Sequence, residues 1–311
     1  MPKNFKTFLV VNPHSSGGRT EKAWPLISEE LNQVLDDFHC SFTERTGQAT
    51  ELTRSAIKFG YEMIVSVGGD GTNNELVNGF FENGRMINPS AVFAVICSGT
   101  GSDFIKTAGV PRDFQESIKH LAGENFRLID VGWMKHQDHS GKMTERYFIN
   151  IASFGVGGAV DAIVNKSSKL LGGKAAFLMA SARAGIFFKN QPVKITLDQG
   201  MVLERKIFNL AIANGKFFGA GMMVAPMAEL DDGLLEIVSL GDLSFPERLK
   251  LSTAIRTGVH LKMPKIEHWQ AREVKAESPE TVLLDVDGEQ PGMLPAEFKV
   301  IHKGIRFKIP G

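Results

Sequence analysis

The sequence predicts an α/β domain, doubly wound around a parallel sheet, followed by a C-terminal domain of mostly antiparallel β. Three observations carry that expectation. Up to about residue 127, short apolar runs alternate with segments whose apolar spacing is near three and four, the pattern of strands alternating with helices around a parallel sheet. Several of the runs are nearly continuous, as in "EMIVSVGG" and "AVFAVICS", which suits strands covered on both faces. After "NFRLIDVGWMKH" the texture changes to strands separated by turns, so the domain boundary is placed near Arg127. The second domain then covers 128–299, and a segment of about 300–311 is a candidate to return to the first.

The elements follow in order. "FKTFLVVNP" reads as a strand leading into a Gly-rich turn, and "TEKAWPLISEELNQVLDDF" as the first helix. "CSFTERT" is a strand, and "GQATELTRSAIKFG" a helix stopped by Gly60 just past its C-cap. "EMIVSVGG", the helix "TNNELVNGFFEN" and the strand "AVFAVICS" complete the alternation. In the second domain "YFINIASFG", "VKITLD", "MVLERKIFNLAIANG", "GMMVAP", "LLEIVSLG", "TVLLDVDGE" and "FKVIHKGIRFKIP" read as strands. Only Asp161–Asn190 and "FPERLKLSTAIRTGVH" read as helical there, and "KHQDHSGKMTE" as an exposed hairpin tip that leaves His136 and His139 solvated.

Bulk properties narrow the function. The 35 basic residues equal the 35 acidic ones, so no overall field favours nucleic acid. Cys40 and Cys97 cannot build a disulfide framework and have no metal-ligand spacing; both are read as core thiols of a reducing, cytoplasmic compartment. The most apolar window, Lys169 to Asn190, contains Lys174, Arg183 and three glycines. It is read as a packed amphipathic helix rather than a membrane span.

Three Gly-rich turns each follow a strand of the first domain: Val11–Gly18, Val67–Glu75 and Cys97–Phe104. In an open parallel sheet the C-terminal strand ends share one edge, and ligands bind there. Clustered backbone N–H groups on that edge suit phosphate, and glycine permits both positive φ and close approach. None of the loops is a G-x-x-x-x-G-K-[ST] P-loop, the early G-x-G-x-x-G is absent, and there is no H-R-D catalytic loop.

"VNPHSSGG", "VGGDGTNNELVNG", "GTGSDF", "AELDDGLLEIV" and "DVDGE" occur in the order and spacing of the diacylglycerol kinase catalytic-domain family, and the chain resembles that family over nearly its whole length. The family also includes sphingosine and ceramide kinases and bacterial lipid kinases. The resemblance implies a Rossmann-like nucleotide domain and a β-sandwich. It implies an ATP-dependent kinase of a lipid primary hydroxyl, with diacylglycerol to phosphatidic acid as the leading reaction and a sphingoid base, ceramide or another lipid as the alternative. ATP would be held by Asn12, Pro13, Ser16, Gly17, Thr43, Gly69, Asp70, Gly71, Thr72, Glu75 and Thr100. Where the family has Asn before the Asp-Phe pair this chain has the shorter Ser102.

The resemblance further implies Glu289 as the base that accepts the hydroxyl proton, Asp287 as its partner or a metal contact, and Asp70 as the anchor of Mg²⁺–ATP. Phosphoryl transfer needs this division between charge neutralisation and a positioned base. A structural Mg²⁺ would use Asp232, the Leu234 carbonyl and Glu229, against the simpler reading of an Asp-Gly surface turn. The expected partner is a lipid at the inner face of a membrane, met peripherally, with a homodimer possible and no nucleic acid. Two rivals stay open. A NAD kinase relative would share the G-G-D-G-T loop but not the opening N-P-x-S-x-G or the late D-G-E, and a nucleotide-binding regulator would have no need of a base.

Overall fold

The computed structural model describes residues 5–97, 103–167, 185–198 and 200–309. The chain divides into two compact units, Met1–Val131 with Lys303–Gly311, and Gly132–His302.

In the first unit, strands β1 (Thr7–Val11), β2 (Phe38–Phe42), β3 (Met63–Gly68) and β6 (Val92–Cys97) are parallel, in the order β6-β3-β1-β2. The connections are helices: α1 (Ser15–Val34), α2 (Gln48–Lys58) and α3 (Asp70–Phe80). A short hairpin of β4 (Phe81–Glu82) and β5 (Arg85–Met86) precedes β6, and α4 (Asp103–Ala108) and α5 (Phe114–Lys119) follow it. Alternate residues of the strands feed two cores. Leu9, Val11, Met63, Val65, Val67, Val92, Ala94 and Ile96 meet Ile27 and Leu31 of α1 and Ile118 at the end of α5. On the other face Phe93 packs edge-on against Phe80 of α3, and Phe307 contacts both Phe93 and Phe104 of α4. Helices on both faces are what make β3 and β6 predominantly apolar, and every residue of both strands is buried. The edge strand β2 differs: Cys40 is exposed. The reading of that thiol as core is therefore corrected, because an edge strand has no neighbour to cover it. The first helix also ends before Phe38, which opens β2.

β7 (Phe126–Gln137) carries the chain into the second unit and pairs antiparallel with β8 (Met143–Phe148). After β9 (Ile151–Gly155) comes α6 (Val156–Ser167); most of the expected helix Asp161–Asn190 lies outside the described residues. Two antiparallel sheets follow. One holds β10 (Gln191–Leu197), β11 (Met201–Ile207), β15 (Glu273–Glu277) and β17 (Met293–Lys308). The other has the order β14 (Ile266–Ala271), β13 (Leu235–Leu240), β12 (Asn209–Ala213), β9, β16 (Leu284–Val286). Phe154, Ile195, Leu210, Ile212, Ile237, Val274, Leu284 and Phe298 fill one core of this unit. The alternate residues Ala211, Ala213, Val238 and Leu240 face a second core with Leu251 and Ile255, at helix α7 (Phe245–Ala254). β14 and β15 were not expected; both mix charged or polar residues with apolar ones, so no apolar run announces them. "MVLERKIFNLAIANG" is two strands in different sheets, and "GMMVAP" contributes only the isolated bridge Phe218–Met222. The end of β17 belongs to the first unit, where Arg306 and Phe307 pair with Val92 and Phe93 in parallel.

Candidate active site

The register of β1, β3 and β6 brings Val11, Val67 and Ile96 level, so the loops that follow these strands leave from one edge. Asn12 is fixed there: its N–H donates to the Val67 carbonyl at 3.0 Å, its Nδ2 donates to Thr72 Oγ1 at 3.0 Å, and its Oδ1 accepts from the His14 N–H. Beyond Pro13, residues Ser16, Gly17 and Gly18 all have left-handed backbone, with φ of 55°, 70° and 82°. For Ser16 this conformation carries strain of about 1 kcal/mol, and its buried Oγ has no hydrogen-bond partner among the described residues. A strained loop with an unsatisfied hydroxyl beside two left-handed glycines is suited to receiving an anion. Thr43 is buried at the end of β2, its N–H donating to the Val11 carbonyl at 2.9 Å.

The second loop turns from β3 directly into α3. A Cβ on Gly68 would lie 2.5 Å from Thr72 Oγ1, so the strand can run this close to the helix only without a side chain. Gly69 is extended, and Asp70 and Gly71 form the first turn of α3, where backbone N–H groups and the helix dipole favour negative charge. Asp70 Oδ2 accepts from the Asp103 N–H at 2.9 Å, and the buried Asp103 is ion-paired with Lys106. Asp103 and Lys106 were not anticipated as site residues; the signal was their place just after the third Gly-rich loop. Thr100 and Ser102 lie outside the described residues. Glu75 turns away to cap α2, its Oε1 accepting from the Gly47 N–H at 2.8 Å and its Oε2 from the Ala49 N–H at 3.0 Å.

In the second unit the D-G-E forms a turn between β16 and the residues after it, closed by Val286 N–H to the Glu289 carbonyl at 2.8 Å. Asp287 has φ 50° and Gly288 φ 86°. Asp287 is 7% exposed, and both its oxygens accept backbone N–H groups, Oδ1 from Ile151 at 2.9 Å and Oδ2 from Ile149 at 3.2 Å. Asp285 is spent similarly, accepting from the Gly288 N–H at 3.0 Å and from Ser153 Oγ at 3.2 Å. Of the three carboxylates only Glu289 projects a side chain that no backbone N–H claims. Its Oε2 is ion-paired with Arg146 of β8, and its Oε1 has no hydrogen-bond partner among the described residues.

The β7–β8 hairpin buttresses this turn. His139 Nε2 lies 3.4 Å from the Gln290 carbonyl, and a Cβ on Gly292 would strike the Gln137 and Asp138 backbone. His136, expected to be solvated, is buried against the Pro291 backbone, and burial lowers its pKa from the ordinary value of 6.5. Its odd-even place on β7 puts it inward while His139 stays exposed in the turn.

Asp232 Oδ1 accepts from the Leu234 N–H at 2.9 Å, and a Cβ on Gly233 would meet the His302 ring at 2.8 Å, so this is a packed Asp-Gly turn before β13. Glu229 is exposed. Among the described residues no group of three or more His, Cys, Asp or Glu could hold a metal ion. The hard oxygen donors present, carboxylates and a main-chain carbonyl, fit Mg²⁺ only with water or nucleotide oxygens completing the shell, which is the habit of that ion. Phe218 and Met222 pack against the core on the α7 side, with Val224 and Ala225 inside it.

Two family profiles match. The diacylglycerol kinase catalytic domain covers residues 6–134, and the YegS C-terminal NAD kinase beta sandwich-like domain covers residues 150–307. The chain is 28% identical over 302 residues to the diacylglycerol kinase of Staphylococcus carnosus, spanning 97% of this chain and 94% of that one. It is 26% identical to the diacylglycerol kinase of Bacillus subtilis, over 97% and 95% of the two chains. A solved diacylglycerol kinase structure from Bacillus anthracis str. Sterne superposes with a TM-score of 0.72 over 99% of this chain and 98% of that one, at 23% identity. Yeast NADH kinase superposes with a TM-score of 0.50 at 13% identity, over 99% and 84%. These two structures share the fold, an α/β domain with a β-sandwich.

Proposed function

This chain belongs to the diacylglycerol kinase family and is a lipid kinase, and from that premise we propose that it transfers the γ-phosphoryl group of ATP to the primary hydroxyl of diacylglycerol, giving phosphatidic acid. One observation supports this reading above others: Glu289 is the carboxylate of the D-G-E turn with an oxygen unclaimed. The left-handed Ser16–Gly18 loop and the first turn of α3 receive the phosphates, with Asn12 and Thr72 tying the two loops together. Asp70 anchors the nucleotide's Mg²⁺ directly or through water, and Asp232 with the Leu234 carbonyl is the candidate for a structural ion. When bound, Mg²⁺ neutralises the developing phosphate charge. Glu289 accepts the hydroxyl proton. Asp287 holds the turn in shape rather than sharing the proton, since both its oxygens are occupied by backbone amides.

No described helix is long and apolar enough to cross a membrane, and the lipid is proposed to be met peripherally at the bilayer's inner face. The test is radiolabelled ATP and Mg²⁺ with a panel of diacylglycerol, monoacylglycerol, sphingoid base, ceramide and phosphatidylglycerol in mixed micelles, and with NAD in a parallel reaction, for the native chain and Glu289→Gln. Labelled phosphatidic acid is expected from the native chain, and about a thousandfold slower turnover from the variant with ATP binding retained. Label in NAD and in no lipid would favour the NAD kinase reading; undiminished transfer by Glu289→Gln would remove the base assignment.

A further inference from the structure

We propose that Arg146 is the positioning residue for Glu289, holding one carboxylate oxygen so that the other is presented to the substrate hydroxyl; this rests on the reading of Glu289 as the base. The backbone of the turn is fixed by groups already described: Asp287 grips the Ile149 and Ile151 amides, and Asp285 grips Gly288. None of those contacts restrains the Glu289 side chain, which has three rotatable bonds beyond its Cα and is 30% exposed. Its one side-chain partner among the described residues is Arg146 Nη2, on Oε2. The arginine is well placed to be rigid. It sits within β8, its Cα opposite Met134 of β7, and its side chain is only 20% exposed.

A base needs an orienting group and a vacant oxygen, and this pair supplies both. The step balances without further reagents. The lipid O–H bond breaks with its proton passing to Glu289 Oε1, the oxygen bonds to the γ-phosphorus of ATP, and the bond from that phosphorus to the bridging oxygen breaks as ADP leaves with the electron pair. Arg146 touches neither reacting atom. Its guanidinium keeps the carboxylate in reach of the hydroxyl, and a misplaced base loses rate even when its chemistry is intact.

The experiment compares kcat and KM for Arg146→Gln, Arg146→Lys, Glu289→Gln and the double variant Arg146→Gln/Glu289→Gln, with Tm recorded for each. Arg146→Gln is expected to lower kcat about a hundredfold with KM for ATP unchanged. Arg146→Lys is expected to recover part of the loss, since an ammonium restores the charge but not the planar fork. The double variant should be no slower than Glu289→Gln alone, because a positioning residue contributes to turnover through the carboxylate it holds. If the two losses multiply, or if Arg146→Gln changes only Tm, the positioning role is wrong while the base stands. If Glu289→Gln itself keeps its turnover, the base reading fails and Arg146 has nothing to position.

Discussion

Asp70-Gly71 and Asp287-Gly288 are the same dipeptide in two regions of the chain, and the fold uses them in opposite ways. Asp70 opens a helix, half-buried, its carboxylate reaching across to the Asp103 amide where the dipole of α3 also points. Asp287 lies in a left-handed turn, almost wholly buried, with each oxygen taken by a backbone N–H of the strand region beside it. A carboxylate at a helix start leaves its surroundings able to take up a charged ligand; one that satisfies two buried amides is committed to the fold. On the proposed reading Asp70 serves the nucleotide and Asp287 the turn, so one dipeptide does different work according to where the fold places it.

The largest effect that could break this contrast is at Asp70. Asp70→Asn is expected to lower kcat about a thousandfold, near 4 kcal/mol of transition-state stabilisation, because positioning and charge neutralisation carry phosphoryl transfer. Its Tm should stay within a few degrees of the native value, as measured by thermal unfolding. Asp287→Asn should do the reverse and lose stability first. An amide there offers one acceptor and turns its NH₂ toward an N–H, which costs roughly 3 kcal/mol when both partners are buried. The readout is a Tm lower by roughly 10 °C. A native Tm with turnover abolished would make Asp287 a chemical residue and dissolve the contrast.

The glycines sharpen it further. Gly68→Ala places a Cβ 2.5 Å from Thr72 Oγ1 and 2.7 Å from Thr72 Cβ, and Thr72 is buried and held by Asn12. Overpacking of that kind costs about 2 kcal/mol and should raise KM for ATP by displacing Thr72. Gly288→Ala meets open space but keeps φ at 86°, so strain of about 1 kcal/mol is expected. One glycine is required by space and the other by dihedral angle, and denaturant midpoints of the two variants separate these costs.

Much of this was legible in the sequence. Nearly continuous apolar runs gave away the doubly covered strands β3 and β6, and the Gly-rich loops that follow β1, β3 and β6 could be placed on one edge of the sheet. The less visible features depend on partners distant in sequence. Arg146 and Glu289 meet across 143 positions, and nothing near either residue signals the other. The commitment of Asp287 required knowing that Ile149 and Ile151 run beside it. Cys40 reads as apolar in "HCSF", yet β2 is an edge, and edge position belongs to the sheet order rather than to the local pattern. His136 lies in a stretch of polar residues, and its burial follows from the alternation of β7.

The smallest predicted effect concerns that histidine. The turn bearing Glu289 rests on His136, whose ring faces the Pro291 backbone, Arg146, Asp138 and His139; burial is the main cause of its lowered pKa, and Arg146 adds to it. In the unfolded chain the ring titrates near 6.5. A folded pKa below that means the unfolded state binds the proton first as pH falls. Its stabilising contribution is complete above about 6.5 and is lost as pH descends through the lower, folded value. Tm should therefore decline from pH 7 to pH 5, and His136→Gln should flatten part of that decline. It should not remove all of it. His120 in the first unit carries the same sign, its pKa lowered to about 4 by burial and then by Lys308, so its loss extends down to about pH 4. Comparing His136→Gln with His120→Gln assigns the two parts. If His136→Gln leaves the slope between pH 7 and pH 5 as steep as in the native chain, the turn is not held by a neutral imidazole, and its rigidity rests on Asp285 and Asp287 alone.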